Sequence, residues 1–182
     1  MTETNLHPVD FEEPIALFGS DPEDVRAIAA MEKAVEDNFN NEFLDDPDAP
    51  LEYYIQQGDH PDVSFVDILA PGHYFGPDVR NWFNFIGPQF VGKLGLRNLR
   101  VFAKNDVGFV YMNQTYEGTL DNGKRFFWKM RQTDVVQKID GEWKILHTHL
   151  SFGADPRELN PASWVVDLEL PSRPQPWTLA QG

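Results

Sequence analysis

The chain contains no cysteine among its 182 residues. This absence excludes disulfide bonds, thiolate zinc sites, iron–sulfur clusters and a cysteine nucleophile. No apolar run approaches the roughly 20 residues that a membrane-spanning helix needs. The N-terminal segment also lacks a basic start followed by an apolar core, so no secretory signal is predicted. We therefore expect a protein of the cytoplasm that does not enter a membrane.

Positive charge is scarce, because 15 Lys and Arg residues stand against 29 Asp and Glu residues, for a formal net charge of -14. Such a chain repels nucleic acid and anionic membrane surfaces, so neither is an expected partner. The glycine-rich phosphate loop, the dinucleotide fingerprint and the Gly-x-Ser-x-Gly elbow are missing as well. The sequence predicts chemistry that needs no cofactor and no metal.

Aromatic residues are abundant at 13% of the chain, and hydrophobic residues make up 41%. The length fits one domain over residues 1–182 that buries a full core without staples. We expect a core over about residues 21–171, an extended N-terminal arm and a proline-rich tail from Pro171. An aromatic core or an aromatic pocket would account for the composition.

Three helices are predicted in the first half of the chain. Ser20 is the expected N-cap of a long amphipathic helix over about residues 21–43, with Pro22 in its first turn. A shorter helix is predicted to follow Asp48-Ala49-Pro50 and to stop at Gly58. Gly76-Pro77-Asp78 opens a third helix that ends at Gly87-Pro88.

The remaining pattern indicates strands. Residues 63–69, VSFVDIL, are rich in β-branched and aromatic side chains. Further strands are expected near residues 97–104, 108–120, 124–139 and 142–152, with hairpin turns at Asn122-Gly123 and Asp140-Gly141. Helices early and an antiparallel meander late predict an α+β fold in which helices cover one face of a curved sheet.

This element order resembles the nuclear transport factor 2-like cone shared by ketosteroid isomerase and SnoaL-like polyketide cyclases. The C-terminal third resembles the final hairpin of the SnoaL-like family, through Trp128-x-x-Arg131-x-Thr133-Asp134, Lys138-Ile139-Asp140-Gly141-x-Trp143-Lys144-Ile145 and His147-x-His149-x-Ser151. Asp155 and residues 163–171 resemble the family's tail. Because this fold hosts enzymes and binding or assembly domains alike, the function has to be argued from the pocket.

Asp67 is the leading candidate for a general base. It lies in the apolar run Phe65-Val66-Asp67-Ile68-Leu69, nine residues before Gly76. The same interval resembles the one between the base of ketosteroid isomerase and the glycine that opens its corresponding helix. A carboxylate in an apolar pocket has a raised pKa and is a better base near neutral pH. The alternative is a strand-end aspartate that binds backbone amides.

The last strand places His147 and His149 on the same side as Trp143, Ile145 and Ser151, because strand side chains alternate. If that side faces the pocket, a histidine, preferably His149, is a general acid or base. If it faces outward, the pair is structural or lies at an oligomer contact. A zinc or iron site would need Asp67 or Asp134 as a third ligand, without a motif to support it.

Side chains on the neighbouring strands and on the helices are the candidates for substrate binding. Arg131 is either a pocket cation that holds a phenolate or carboxylate, or part of a surface salt bridge, and it cannot point inward together with Asp134 unless the strand has a bulge. An aromatic lid and pocket wall suits a flat hydrophobic ligand. The remaining candidates are Tyr53, Tyr54, Tyr74, Trp82, Phe83, Tyr111, Asn113, Tyr116, Trp128 and Asp134.

The sequence therefore predicts a cofactor-independent lyase or isomerase that acts by general acid/base chemistry on a small hydrophobic, aromatic or phenolic molecule. The resemblance implies dehydration, double-bond isomerisation, or removal of formaldehyde from lignin-derived aromatic dimers, with Asp67 or a histidine moving the proton and Arg131 or a tyrosine holding a phenolate. The alternative is a non-catalytic ligand-binding or assembly domain. The apolar outer face of the sheet also predicts a homodimer or homotrimer.

Overall fold

A seven-stranded mixed sheet with the strand order β1-β4-β5-β6-β7-β2-β3 is the scaffold of the protein. The computed structural model describes residues 13–69, 72–120 and 122–153. The strands are β1 (Ile15–Ala16), β2 (Ser64–Val66), β3 (His73–Phe75), β4 (Phe90–Lys104), β5 (Val107–Leu120), β6 (Arg125–Ile139) and β7 (Glu142–Phe152). The C-terminal segment, with Asp155, residues 163–171 and the predicted tail, lies outside the described residues.

The long strands follow the predicted meander. Strand β5 pairs antiparallel with β4 and with β6, whereas β1 runs parallel to β4 and β2 runs parallel to β7. Asp140 and Gly141, both with positive φ, form the predicted two-residue turn between β6 and β7. The short strands β1 and β3 were not predicted, because two or three residues carry too little pattern to be recognised.

Two α-helices, α1 (Pro22–Asn41) and α2 (Pro77–Ile86), accompany the sheet. Neither one, in the part of the chain that is described, is long and apolar enough to cross a membrane. The predicted N-cap of α1 is wrong by one residue. Asp21 caps the helix by accepting a hydrogen bond from the Glu23 amide at 2.9 Å, while the Ser20 hydroxyl donates to the Val101 carbonyl at 3.3 Å.

The second predicted α-helix does not form. Residues Ala49–Tyr53 and Ile55–Gly58 are two 3-10 segments, separated by Tyr54 in an extended conformation. Gln56 and Gln57 both have positive φ, which a regular right-handed helix excludes. The fold is therefore α+β with two α-helices, and the 3-10 pair brings Tyr54 beside Ile145 of β7 through an isolated bridge.

Helix α1 lies along the edge of β4 that β1 leaves open. The Asn40 side chain accepts from the Leu94 amide at 2.6 Å and donates to the Leu94 carbonyl at 2.8 Å. Glu36 Oε2 accepts from the Leu96 amide at 2.6 Å and from the Arg97 guanidinium at 2.8 Å. These polar groups satisfy strand backbone that would otherwise be buried without partners.

The two faces of the sheet differ in character. Along β5 and β6 the alternate residues that face α1 are buried, among them Val110, Met112, Met130 and Val136. The residues between them lie on the outer face, which exposes large hydrophobic side chains, namely Val107, Phe109, Tyr111, Phe127 and Val135. This strand alternation decides which candidate residues can reach the interior.

Candidate active site

A cavity of about 90 Å³ lies between the two helices and the inner face of the sheet. Its wall is mainly aliphatic and aromatic. The polar side chains in the wall that matter for chemistry are those of Tyr54, Asp67, Gln114, Gln132 and Thr148. No Lys, Arg or His side chain lines it among the residues that the structure describes. The cavity therefore suits a small, mostly apolar ligand.

Asp67 lies in the wall of this cavity, one residue beyond the end of β2. Its Oδ2 accepts a hydrogen bond from the Trp82 indole nitrogen at 2.7 Å. Its Oδ1 accepts from the Leu69 amide at 3.1 Å, which closes a short turn at the end of the strand. The carboxylate is thus held in a fixed position between α2 and the segment after β2.

The environment of Asp67 makes its carboxylate more basic. Burial raises the pKa of Asp67 above its ordinary value, and the hydrogen bonds from Trp82 and from the backbone oppose part of that rise. A half-buried aspartate with a raised pKa at a cavity wall has the properties of a general base.

Trp82→Phe is expected to raise the pKa of Asp67 further, because the lost indole N–H stabilises the carboxylate anion. Titration of the carboxyl carbon by ¹³C NMR measures this directly. Tyr74→Phe is the matched control, since Tyr74 stacks on Trp82 at 4.5 Å between ring centroids without bonding to Asp67. An unchanged Asp67 titration in the Trp82 variant would contradict the assigned hydrogen bond.

The floor of the cavity is a connected polar network. The Tyr54 hydroxyl and the Thr148 hydroxyl lie 2.9 Å apart, and both residues are buried. Gln132 Nε2 donates to Asp134 Oδ2 at 2.7 Å. Asp134 lies behind the wall and not in it, so this candidate binding residue supports the floor without touching the cavity.

Behind the floor, Asp134 meets Glu32 of α1, and both carboxyl groups are fully buried. Burial and the neighbouring Asp134 raise the pKa of Glu32 well above its ordinary value. Burial raises the pKa of Asp134 to about 6, against the effect of contacts with Thr148, Gln132 and Glu32. Because two buried carboxylates in contact do not both ionise, Glu32 carries the proton and Asp134 the charge near neutral pH.

The predicted aromatic residues divide into two groups. Tyr54, Trp82, Phe83, Tyr116 and Trp128 line the cavity. The Tyr116 hydroxyl donates to the Phe90 carbonyl at 2.6 Å, so it serves the fold.

Tyr53 and Tyr74 do not line this cavity. Tyr74 lies behind Trp82 and lines a separate surface hollow. Burial and the neighbouring Glu52 raise the pKa of Tyr53 to about 12.

The alternation had placed His147 and His149 on the same side of β7 as Trp143 and Ile145. The structure separates the histidines from these two buried residues. Trp143 and Ile145 are buried, but farther along the strand Thr148 and Leu150 are buried. The alternation changes at Leu146 and His147, both of which are half-buried. His147 and His149 therefore lie on the face opposite the cavity.

On that face the histidines have structural neighbours. His147 Nδ1 lies 2.8 Å from the Ser64 hydroxyl, its partner in the parallel pairing of β2 with β7. Burial and the neighbouring His149 lower the pKa of His147. Across the described ranges, no three His, Asp or Glu side chains group closely enough to hold a metal ion. The histidines are not placed to act on a ligand in the cavity.

Three more candidates are corrected by the alternation of β5 and β6. Arg131 is exposed on the outer face, and Asn113 is its cross-strand partner there. Tyr111 is exposed on the same face. Since Asp134 points inward from β6 without a bulge in the β5–β6 register, Arg131 points outward, as the regular alternation requires.

Sequence reasoning missed Glu32, Gln114, Gln132 and Thr148 as members of the site. Glu32 had a detectable signal, because it is a carboxylate on the otherwise apolar stripe of α1. Gln114 and Gln132 had no sequence signal as strong as that of Glu32. They are two polar residues on the inward-facing positions of long strands, and their roles depend on neighbours from other elements.

Solved structures confirm the fold. One is a protein of unknown function from Mycobacterium tuberculosis, 16% identical, with a TM-score of 0.63 over 80% of this chain and 86% of that one. Another, from Novosphingobium aromaticivorans, is described as a candidate aromatic ring hydroxylase and is 20% identical, with a TM-score of 0.62 over 73% of this chain and 91% of that one.

A third similar structure is a candidate dehydratase of the nuclear transport factor 2-like family from Streptomyces avermitilis. It is 16% identical, with a TM-score of 0.61 over 73% of this chain and 98% of that one. No curated protein sequence matches the chain. The family model of the SnoaL-like domain matches residues 50–155, which is more than half of the chain. The resemblance seen in the sequence is thereby confirmed, and the chain belongs to the SnoaL-like family.

Proposed function

We propose that this protein is a cofactor-independent lyase or isomerase, in which Asp67 removes a proton from a small, neutral, mostly apolar and preferably aromatic substrate. The observation that carries the proposal is the Asp67 carboxylate, which is held by Trp82 in the wall of an otherwise apolar cavity. Membership of the SnoaL-like family supports it. So do the descriptions of similar structures as a candidate dehydratase and a candidate aromatic ring hydroxylase.

Proton removal and return is the chemistry that the cavity residues fit best. Asp67 takes the proton and can return it, either to another carbon or to a leaving hydroxyl group. Dehydration and double-bond isomerisation therefore need no second ionisable group in the cavity. Of the groups expected to hold a phenolate in the deformylating cleavage, Arg131 lies on the outer face, which leaves that role to a tyrosine of the cavity.

A probe substrate tests the proposal without knowledge of the natural one. A base that removes the C3 proton of 5-nitrobenzisoxazole breaks the ring N–O bond and releases a coloured cyanophenolate. We expect saturable ring opening that is faster than in acetate of equal carboxylate concentration, at a rate unchanged by dialysis against a chelator. A rate no higher than that in acetate would contradict the proposal, and recovery only on adding zinc or iron would contradict the metal-free mechanism.

A second candidate function, non-catalytic ligand binding, is favoured by one observation. Both Asp67 oxygens already accept internal hydrogen bonds, as they would in a carboxylate that only stabilises the turn after β2. In that case the apolar cavity would bind the nitrobenzisoxazole, with quenching of tryptophan fluorescence, but would not open its ring. The same titration and rate measurement therefore separate the two functions.

We also propose that the outer face of the sheet joins copies of the chain into a homodimer or homotrimer. Phe127 is 63% exposed on this face, which also exposes Phe109 and Tyr111 farther along the β5–β6 pair. Light scattering is expected to give a multiple of 20.9 kDa, and Phe127→Asp to reduce it to the monomer mass. Phe85→Asp, which changes an exposed phenylalanine of α2, is the control and leaves the assembly intact. A monomeric wild-type protein at micromolar concentration would overturn this proposal.

A further inference from the structure

The hydrogen bonds in the cavity floor run in a defined direction that ends at Asp134. A carboxylate only accepts hydrogen bonds, so its neighbour Gln132 presents its Nε2 group to it, at 2.7 Å from Oδ2. The two polar atoms of an amide lie on opposite sides of its carbon. Since Gln132 lines the cavity and Asp134 lies behind the wall, the Oε1 carbonyl of Gln132 is left for the cavity.

The second branch of the network leaves another acceptor at the floor. Thr148 helps to hold the charge on Asp134, and in the arrangement that we infer its hydroxyl proton is directed to that carboxylate. In this arrangement the Thr148 oxygen accepts from the Tyr54 hydroxyl, 2.9 Å away. Tyr54 Oη, with its own proton directed to Thr148, retains a lone pair for a ligand in the cavity.

The electrostatics of the cavity floor also disfavour an anionic ligand. Burial raises the pKa of Tyr54, and the neighbouring Asp134, Glu32 and Asp67 raise it further. The lining carries no Lys, Arg or His in the described part of the chain. An anionic ligand would lose its hydration and gain no cation in return, which makes its binding costly.

We propose that the floor formed by Gln132 and Tyr54 is a subsite for a neutral hydrogen-bond donor, a hydroxyl or amino group, on a small and otherwise apolar ligand. It rejects carboxylates and phosphates, and it discriminates against ethers and ketones, which only accept hydrogen bonds. Its relevance to turnover rests on the function proposed above, but the binding preference itself does not depend on Asp67 acting as a base.

Fluorine NMR titrations of the full chain at pH 7 test the subsite with matched single-ring probes. We expect 4-fluorophenol and 4-fluoroaniline to bind at least about 10-fold more tightly than 4-fluoroanisole, because one hydrogen bond is gained. We expect no binding of 4-fluorobenzoate. Equal affinities for the phenol and the anisole, comparable binding of the benzoate, or no binding of the phenol at millimolar concentration would each overturn the subsite.

Variants assign the preference to the named atoms. Gln132→Met removes the carbonyl at similar side-chain length and is expected to reduce the phenol-to-anisole ratio to below about threefold. Tyr54→Phe removes the other acceptor and is expected to lower the ratio as well, which keeps the test open if the Gln132 variant does not fold. Gln137→Met, on the outer face of β6, is the matched control and keeps the wild-type ratio. An unchanged ratio in both cavity variants would contradict the assignment.

The same titrations separate this proposal from the proposed function. If the subsite is correct and Asp67 is not a base, Asp67→Asn leaves both the ring-opening rate and the preference for the phenol unchanged. If Asp67 is a base and the subsite is wrong, the rate falls in that variant and the wild-type protein shows no preference for the phenol over the anisole.

Discussion

Asp67→Asn is expected to lower the rate of 5-nitrobenzisoxazole ring opening by at least about 100-fold, the contribution typical of a positioned general base. Asparagine has nearly the same size and cannot take up a proton near neutral pH. The affinity for the probe should change by less than about threefold, because the apolar wall that binds it is untouched. Initial rates measured beside a fluorescence titration of the same protein give both quantities.

The stability of this variant has to be measured as well, because asparagine cannot replace both hydrogen bonds. Its single carbonyl can accept from the Leu69 amide, and its amide group then faces the indole N–H of Trp82, so two donors meet. A modest fall in melting temperature is expected beside the large fall in rate. Asp62→Asn, at a side chain that is 80% exposed, is the matched control and should change neither.

Two outcomes would contradict the role of Asp67 as a base. Full turnover in a folded Asp67→Asn protein would remove it from the mechanism. A variant in which stability, affinity and rate all fall together would indicate that the carboxylate only stabilises the turn after β2. In that second case, the ligand-binding function becomes the better description of the cavity.

Glu32→Gln is expected to make the protein more stable than the wild type at pH 8, and equally stable near pH 4. The folded protein holds a proton on Glu32, whose pKa is raised by burial and by Asp134. The unfolded chain releases that proton above about pH 4.3, the ordinary value for glutamate. Wild-type stability therefore falls as the pH rises through this window, because the folded state binds the extra proton.

The size of the effect follows from the same linkage. The advantage of the glutamine variant grows by about 1.4 kcal/mol per pH unit until Glu32 ionises in the folded protein. Asp134, whose pKa is raised to about 6, also lowers the stability as the pH rises toward that value. This loss is similar in the wild type and in the variant, so it leaves their difference unchanged. Urea denaturation at a series of pH values from 4 to 8 measures the difference in the free energy of unfolding.

A glutamate elsewhere on the same helix provides the comparison. Glu23→Gln changes an exposed side chain in the first turn of α1 and should give a stability curve parallel to that of the wild type. Parallel curves for Glu32→Gln across this pH range would show that the buried pair does not hold a proton between its carboxyl groups. The orientation argued for the cavity floor would then lose its basis, because it requires Asp134 to be the charged partner.

Much of the fold could be predicted from the sequence because it depends on neighbouring residues. The apolar spacing of α1, the proline after Gly76 that opens α2, and the Asp140-Gly141 turn each act within a few residues. The family resemblance in the C-terminal third belongs to the same class of signal. Asp67 was found this way too, since an isolated carboxylate in an apolar strand stands out without any knowledge of its neighbours.

The features that were predicted wrongly depend on contacts between parts of the chain that are distant in sequence. The segment that ends at Gly58 has helical composition, but Gln56 and Gln57, inside the second 3-10 segment, take a left-handed backbone conformation. The change of face in β7 near His147 leaves no trace in composition, and a displacement of one residue moves every later side chain to the other face. Both features are imposed by the partners against which the segments pack.

The sequence by itself determined the fold class, the hairpin meander and Asp67 as a candidate base, because these rest on local spacing and turn chemistry. Only the tertiary structure decided that the histidines and Arg131 lie outside the cavity and that Gln132 and Thr148 lie inside it. It also brought Glu32 of α1 against Asp134 of β6, two carboxyl groups far apart in the chain. The physical reason is that burial and charge coupling arise from neighbours in space, and a single sequence lists neighbours only along the chain.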